Sequence, residues 1–299
     1  MSLFPTRRKF LQMGAAGAAL SALAVAGDGP IFEANQPKLV SIEVRLPRLV
    51  ESWDGFRIAQ LSDLHYDDYF SAVPLRNAVE MVNGLYPDLI VVTGDFITAR
   101  SWRSHLSTLA RPEKAIEPCA QLVAQMHARS GILGALGNHD VRNAEHIIEV
   151  LKSHNIPVLR NRSVPLEREG NRLWLCGVDD ILGGRPRLDL ALKEIPAGEP
   201  VVLLAHEPDW ADYVANHPVD LQLSGHSHGG QIRIPFLGAP YLPPLARKYP
   251  WGLRQIGGLT LYTNAGIGTI EVPMRIDCPP EVTLITLRSA PGGGASGIS

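Results

Sequence analysis

Two histidines one residue apart, in Leu223-Ser224-Gly225-His226-Ser227-His228-Gly229-Gly230-Gln231, sit on a backbone with almost no side-chain bulk around them. That pattern lets a chain approach a metal closely, although alone it is equally the pattern of an exposed turn. Four upstream pieces change its meaning: Asp63-Leu64-His65, Gly94-Asp95, Gly137-Asn138-His139-Asp140 and Ala205-His206-Glu207. Their donors are His, Asp and Asn without Cys. Such a set suits two divalent or transition ions of intermediate hardness, Mn, Fe or Zn, rather than a thiolate site. Two ions ~3.5–4 Å apart, bridged by a carboxylate and a water, lower the pKa of that water and clamp phosphoryl oxygens during in-line displacement.

Each piece follows an apolar run that reads as a strand, so the donors would meet at strand carboxyl ends, where loops of α/β sheets converge. Phe56–Leu61 delivers Asp63 and His65. Leu89-Ile90-Val91-Val92, apolar throughout, reads as a strand buried on both faces and delivers Asp95. Gly131–Leu136 leads to Asn138 and His139, Val201-Val202-Leu203-Leu204 to His206, and Leu221-Gln222-Leu223 to His226 and His228. Gly94, Gly137 and Gly225 each precede a site residue and would let the chain turn tightly there.

Between these strands, helices are predicted from Pro74 to Gly84, Glu113 to Arg129, Asn143 to Asn155 and Leu188 to Ile195. Lys38–Leu49 alternates apolar and polar residues as a half-buried strand does. Further strands are expected at Val158–Leu159, Ser163–Glu167, Arg172–Val178, Leu259–Thr263 and Val282–Leu287, with a proline-rich surface loop from Pro235 to Pro250. This alternation describes an α/β fold with helices outside two central sheets.

Composition bounds the alternatives. In 299 residues, 45% hydrophobic and 19% charged content describes a globular chain with a sizeable core rather than a disordered one. A net charge of −2, with no basic tract past the first ten residues, implies no nucleic-acid partner. Cys119, Cys176 and Cys278 are odd in number and far apart, which excludes a disulfide framework and a cysteine zinc site.

The organisation read from the chain is a signal peptide at 1–26, a linker at 27–37, the main domain at 38–288 and a flexible Gly/Ala/Ser-rich tail at 289–299. Thr6-Arg7-Arg8-Lys9-Phe10-Leu11-Gln12 followed by an uncharged run resembles a twin-arginine signal, with Thr and Gln where Ser and Lys are usual. It implies export through the twin-arginine machinery to the periplasm or cell envelope. An uncleaved signal would tether the protein to the membrane.

The order and spacing of the five blocks resemble the calcineurin-like metallophosphoesterase superfamily, from about Phe56 to Leu287. The resemblance implies a four-layer sandwich of two mixed β-sheets flanked by helices, with a dimetal site. It also implies Asp63, His65 and His228 on one ion, Asp95 bridging, and Asn138, His206 and His226 on the second. His139 would contact the phosphate and protonate the leaving oxygen.

The motif around His226 and the later Asn264-Ala265-Gly266-Ile267-Gly268 resemble a bacterial branch bearing export signals or membrane segments. That implies phosphodiesterase or pyrophosphatase work on envelope lipids or cell-wall polymers. UDP-2,3-diacylglucosamine hydrolysis in lipid A synthesis is the alternative substrate, and a non-catalytic envelope metal-binding module the alternative of another class. The substrate is expected to be a phosphoester, lipid-linked in the first of these readings, with Arg233, Tyr249 and Arg275 as candidate contacts. Asp140, Glu207 and Asp209 flank site residues and could orient imidazoles. Oligomeric state is not legible.

Overall fold

A run such as Leu89-Ile90-Val91-Val92 has no polar face, so it is stable only between two apolar layers. The computed structural model, which describes residues 33–99 and 111–290, supplies both. The expected signal peptide, most of the linker and residues 291–299 of the tail lie outside the described residues.

The first half of the chain runs β1 (Lys38–Arg45), β2 (Arg57–Leu61), α1 (Ala72–Leu85), β3 (Leu89–Val92), α2 (Pro112–Val123), β4 (Ile132–Gly134) and α3 (Ala144–Ser153). The second half runs β5 (Arg162–Arg168), β6 (Asn171–Gly177), α4 (Leu188–Leu192), β7 (Val201–Leu204), α5 (Ala211–Val214), β8 (Leu221–Ser224), β9 (Gly252–Ile256) and β10 (Leu259–Thr263). The last strand, β11 (Glu281–Arg288), returns to the first sheet. It inserts between β1 and β2, parallel to the former and antiparallel to the latter.

The sheets are therefore mixed, with orders β1-β11-β2-β3-β4 and β5-β6-β7-β8-β10-β9. Leu89 and Val91 of β3 meet Val202 and Leu204 of β7 in a core between the sheets. Ile90 and Val92 face α1, α2 and α3, while Val201 and Leu203 face α4 and α5. The result is a four-layer α/β sandwich: helices, sheet, sheet, helices. Each of these side chains, buried on one side of a central strand, contributes roughly 1.5–3 kcal/mol. Gln60 crosses the inter-sheet layer, its Nε2 donating to Ser224 O at 2.9 Å and Thr93 Oγ1 at 3.2 Å, and ties the site ends of β2, β3 and β8 together.

Several elements differ from their sequence reading. The second helix stops at Val123, not Arg129, and contains Pro118. The first begins at Ala72, before Pro74, and runs through Gly84 to end where Tyr86 turns left-handed. The third and fourth helices are shorter than read, at Ala144–Ser153 and Leu188–Leu192. Val158 makes one bridge to Gly134 rather than a strand with Leu159. The edge strand β9 carries mostly exposed residues, so it has no apolar alternation to signal it. No described helix is long and apolar enough to cross a membrane.

Candidate dinuclear metal site

Both sheets deliver their parallel strands' carboxyl ends to one place, and the five blocks meet there. Asp63, His65 and His228 form one group of mutually close donor atoms; Asp95, His206 and His226 form a second; Asp95, His65 and His139 a third. His65 Nε2 lies 3.0 Å from His228 Nε2 and 3.4 Å from Asp95 Oδ2. His228 Nε2 is 3.4 Å from Asp63 Oδ1. His206 Nε2 is 3.2 Å from Asp95 Oδ2 and 3.9 Å from Asp63 Oδ1. Asp95 touches both sides of the cluster, and the geometry separates His226 from His228.

The backbone is bent to achieve this. Asp63, His65, Asp95, His226 and His228 all have left-handed φ, between 41° and 67°. Gly94, at φ 104°, has a conformation side chains avoid. Gly137 and Gly225 are needed for a different reason from the tight turn expected of them: space. A Cβ on Gly137 would lie 2.3 Å from Asp95 Oδ1, and one on Gly225 2.3 Å from Asp63 Oδ2.

The donor set fits a pair of cations. His206 Nδ1 donates to Thr93 O at 2.7 Å, which turns its buried Nε2 into the cluster, 3.2 Å from Asp95 Oδ2. His226 Nε2 donates to Pro244 O at 2.9 Å, which leaves Nδ1 as the bare nitrogen. A second-atom bond of this kind fixes the tautomer of a metal-ligating histidine. The buried Oδ1 of Asn138 also lacks a partner.

His139 is set differently. Its Nδ1 accepts the Ala99 N–H at 3.0 Å, so Nε2 carries the ring proton, and its own N–H donates to Asp95 Oδ1 at 2.8 Å.

Electrostatics express the same crowding. Burial, with Asp95 adding its charge, pushes the Asp63 carboxyl up to about 6. Burial would also raise Asp95, but the imidazoles of His206, His139 and His65 outweigh it and hold that carboxyl well below its ordinary range. Burial, reinforced by His206, lowers His226 to about 4 and keeps it neutral. His228 is likewise held low by burial and by His65.

The flanking acids serve the backbone rather than the imidazoles. Asp140 accepts from Phe96 N at 3.1 Å and Gly137 N at 3.0 Å, joining the loops after β3 and β4, and burial lifts it to about 8. Glu207 accepts from the N–H groups of Ile181 and Leu182. Asp209 accepts from those of Arg247, Lys248 and Tyr249.

A cavity of about 440 Å³ opens over the cluster, with Asp95, Asn138, His139, His226 and His228 at its floor. Leu182, Ile232, Tyr241, Ile270 and Val272 make an apolar wall. The three basic or aromatic residues expected to contact substrate stand elsewhere. Arg233 stacks on Trp251 at 4.1 Å and donates to Gly229 O. Tyr249 donates to Asp212 at 2.9 Å.

Arg275 is fully buried, its guanidinium donating to Ala265 O at 3.0 Å, Gly266 O at 3.1 Å and Gly268 O at 2.6 Å. Loop 264–268 in turn lies on the strand end that carries Asp63, with Ile267 N on Ser62 O and Gly268 N on Asp63 O. Arg275 thus staples the site from behind. The clustered glycines of 264–268 were the signal that a backbone approaches closely there. Gln231, which also escaped the sequence reading, holds the cavity rim through Ile270 and Val272.

Residues 56–230 match the calcineurin-like phosphoesterase family. This chain belongs to that family and is a metallophosphoesterase, a hydrolase of phosphoester bonds. It is similar to YkuE, an uncharacterized metallophosphoesterase of Bacillus subtilis (strain 168), at 33% identity over 291 residues, covering 95% of this chain and 98% of that one. It is similar to phosphodiesterase YaeI of Escherichia coli (strain K12) at 31% over 289 residues, 94% of this chain and 99% of that one. A transmembrane protein with metallophosphoesterase domain from Danio rerio is 32% identical over 277 residues, covering 88% of this chain and 60% of that protein.

Proposed function

We propose that this chain is a phosphodiesterase using two metal ions, acting at the cell envelope on a phosphodiester or pyrophosphate borne by a lipid. The observation that carries the chemistry is the convergence of two donor groups on Asp95, with a proton-bearing His139 Nε2 beside them. Asp63, His65 and His228 would hold one ion and Asn138, His206 and His226 the other, with Asp95 between; the ions supply Lewis acidity toward phosphoryl oxygens and an acidified water. His139 presents its Nε2–H to the departing oxygen as a hydrogen-bond donor, and the Ala99 N–H on Nδ1 keeps the ring in the tautomer that can do so.

The diester preference is supported by similarity to a protein named as a phosphodiesterase, and a membrane location by similarity to transmembrane proteins bearing this domain. The apolar cavity wall supports a substrate with a hydrocarbon part. Residues 1–26, with their paired arginines, support export by the twin-arginine route.

The test is turnover of purified protein loaded with Mn, Fe, Zn or Mg on monoesters, diesters and pyrophosphates. Diesters or pyrophosphates should be cleaved, and Asp95→Ala and His226→Ala should abolish the reaction. Activity surviving in chelated Asp95→Ala protein would refute the assignment.

A further inference from the structure

Past the second histidine of the site, the chain from Gln231 to Ile256 contains no acidic residue. Within it Ile234 and Gly238 close a tight hairpin, each N–H donating to the other's carbonyl at 2.9 Å. Pro235, Phe236 and Leu237 form the tip, and Phe236 holds a left-handed φ of 68°. The exposures are extreme: 108% for Phe236, 79% for Leu237 and 71% for Tyr241 just beyond. Scattered exposed apolar residues are ordinary, but a fully presented aromatic and leucine side by side at a built tip mark an interaction site.

The hairpin is anchored rather than loose. Ile276 pairs with its base, Arg233 N donating to Ile276 O at 2.9 Å and Ile276 N to Gln231 O at 3.0 Å. Just before the tip, the Arg233 guanidinium lies on Trp251. Just after Tyr241, the exposed Arg247 side chain donates to Leu242 O. Among the described residues no side-chain carboxylate neutralises either guanidinium, whereas Lys248 nearby pairs with Asp212 at 2.7 Å. At its base the hairpin is continuous with the cavity, because Ile232, Pro240 and Tyr241 belong to the cavity wall.

We propose that the 234–238 hairpin is a docking tip that enters the surface of an anionic lipid bilayer and sets the cavity mouth against it. The proposal rests on the phosphoesterase reading above and adds how a membrane-resident substrate arrives. Three features select a bilayer as the occupant. The apolar patch is a few side chains wide, too small for a stable protein interface, which buries about 800 Å² per partner. Cationic residues flank it without acids in the same segment, which complements anionic headgroups. The apolar surface runs from the tip into the catalytic cavity, so an acyl chain would stay covered along the path.

The experiment uses the full chain. In Phe236→Trp protein, emission at the tip should be quenched by brominated phosphatidylglycerol in vesicles and much less by brominated phosphatidylcholine alone. The pair Phe236→Ser/Leu237→Ser should lower turnover of a diacylated aryl phosphodiester embedded in phosphatidylglycerol vesicles roughly tenfold or more, from two lost apolar contacts, while leaving a soluble aryl phosphodiester unaffected.

No quenching at position 236, or equal loss on both substrates, overturns the proposal. So does a dimer that the double variant converts to monomer with embedded turnover unchanged, which would make the tip a contact with a second copy. If the unaltered protein cleaves no soluble diester, the phosphoesterase reading fails, and the quenching still decides the docking.

Discussion

Gly225→Ala is the most direct probe of how tightly the fold is drawn around its donors. The added Cβ would lie 1.8 Å from Ser62 Oγ, 2.3 Å from Asp63 Oδ2 and 2.7 Å from Ser62 Cβ. Ser62 can rotate its hydroxyl, but its Cβ is fixed by the end of β2, and Asp63 accepts the His226 N–H with both oxygens at 3.0 Å. The backbone of 225–226 must therefore move, taking Asp63 and His226 with it. Overpacking of this kind costs about 1–3 kcal/mol. Displacing groups that orient ligands costs roughly 10–100-fold in metal affinity or activity. Thermal melting with and without added ions, metal content and diesterase rate measure the three effects. Gly84→Ala, in α1 where nothing lies within 4 Å of a new Cβ, is the control and should gain about 0.5–1 kcal/mol with activity intact. Adding Ser62→Gly to Gly225→Ala should recover part of the loss, since two of the three contacts vanish. Gly225→Ala protein with full metal content and undiminished rate would show that the approach seen here is not needed.

Two further outcomes follow from the site's protons. His139→Gln should keep its metal while losing on the order of 10²-fold in rate, with the deficit larger for an alkyl than for an aryl leaving group, because a good leaving group needs less hydrogen-bond stabilisation of its developing charge; equal losses on both would remove His139 from that role. Asp63 is lifted from 3.8 to about 6 and Asp140 from 3.8 to about 8, so above pH ~4 these two carboxyls of the metal-free fold retain protons that the unfolded chain has released, and the stability they contribute falls as pH rises, while His226, lowered from 6.5 to about 4, acts in the opposite sense between those values. Ions compete with the Asp63 proton, so the apparent metal affinity and the ion-induced rise in melting temperature should grow with pH through about 6; isothermal titration giving a flat affinity across that range would contradict the buried, protonated Asp63.

The donors were legible because their chemistry restricts residue type and because each follows a strand whose burial on both faces leaves a continuous apolar run. Leu89–Val92 and Val201–Leu204 are such runs, and both are strands of the observed length. What escaped depends on contacts between distant segments. Arg275 reads in sequence as a free cation near a loop, and only the packing shows that burial and five backbone carbonyls, from 228 to 278, absorb it. Edge strand β9 has no buried face to impose a period of two. The second helix stops at Val123 although Met126 carries its apolar stripe on into the same core, so nothing in the hydrophobic pattern marks its end.

The left-handed backbone at five candidate ligands was equally hidden, and it explains the weight of the surrounding structure. A non-glycine residue held there costs about 1–3 kcal/mol, so five approach the whole stability of a domain, about 5–15 kcal/mol. Such a set persists only where neighbours leave no alternative. Gln60 joins both sheets beneath the site, Asp140 binds the loops after β3 and β4, and Arg275 fastens 264–268 onto Asp63. None of these three touches the cavity floor as a donor, yet each removes a direction in which a ligand loop could relax. Two histidine nitrogens 3.0 Å apart, with Asp95 3.4 Å from that of His65 and Asp63 3.4 Å from that of His228, are held there by those contacts, so loosening any one of the three should loosen the cluster.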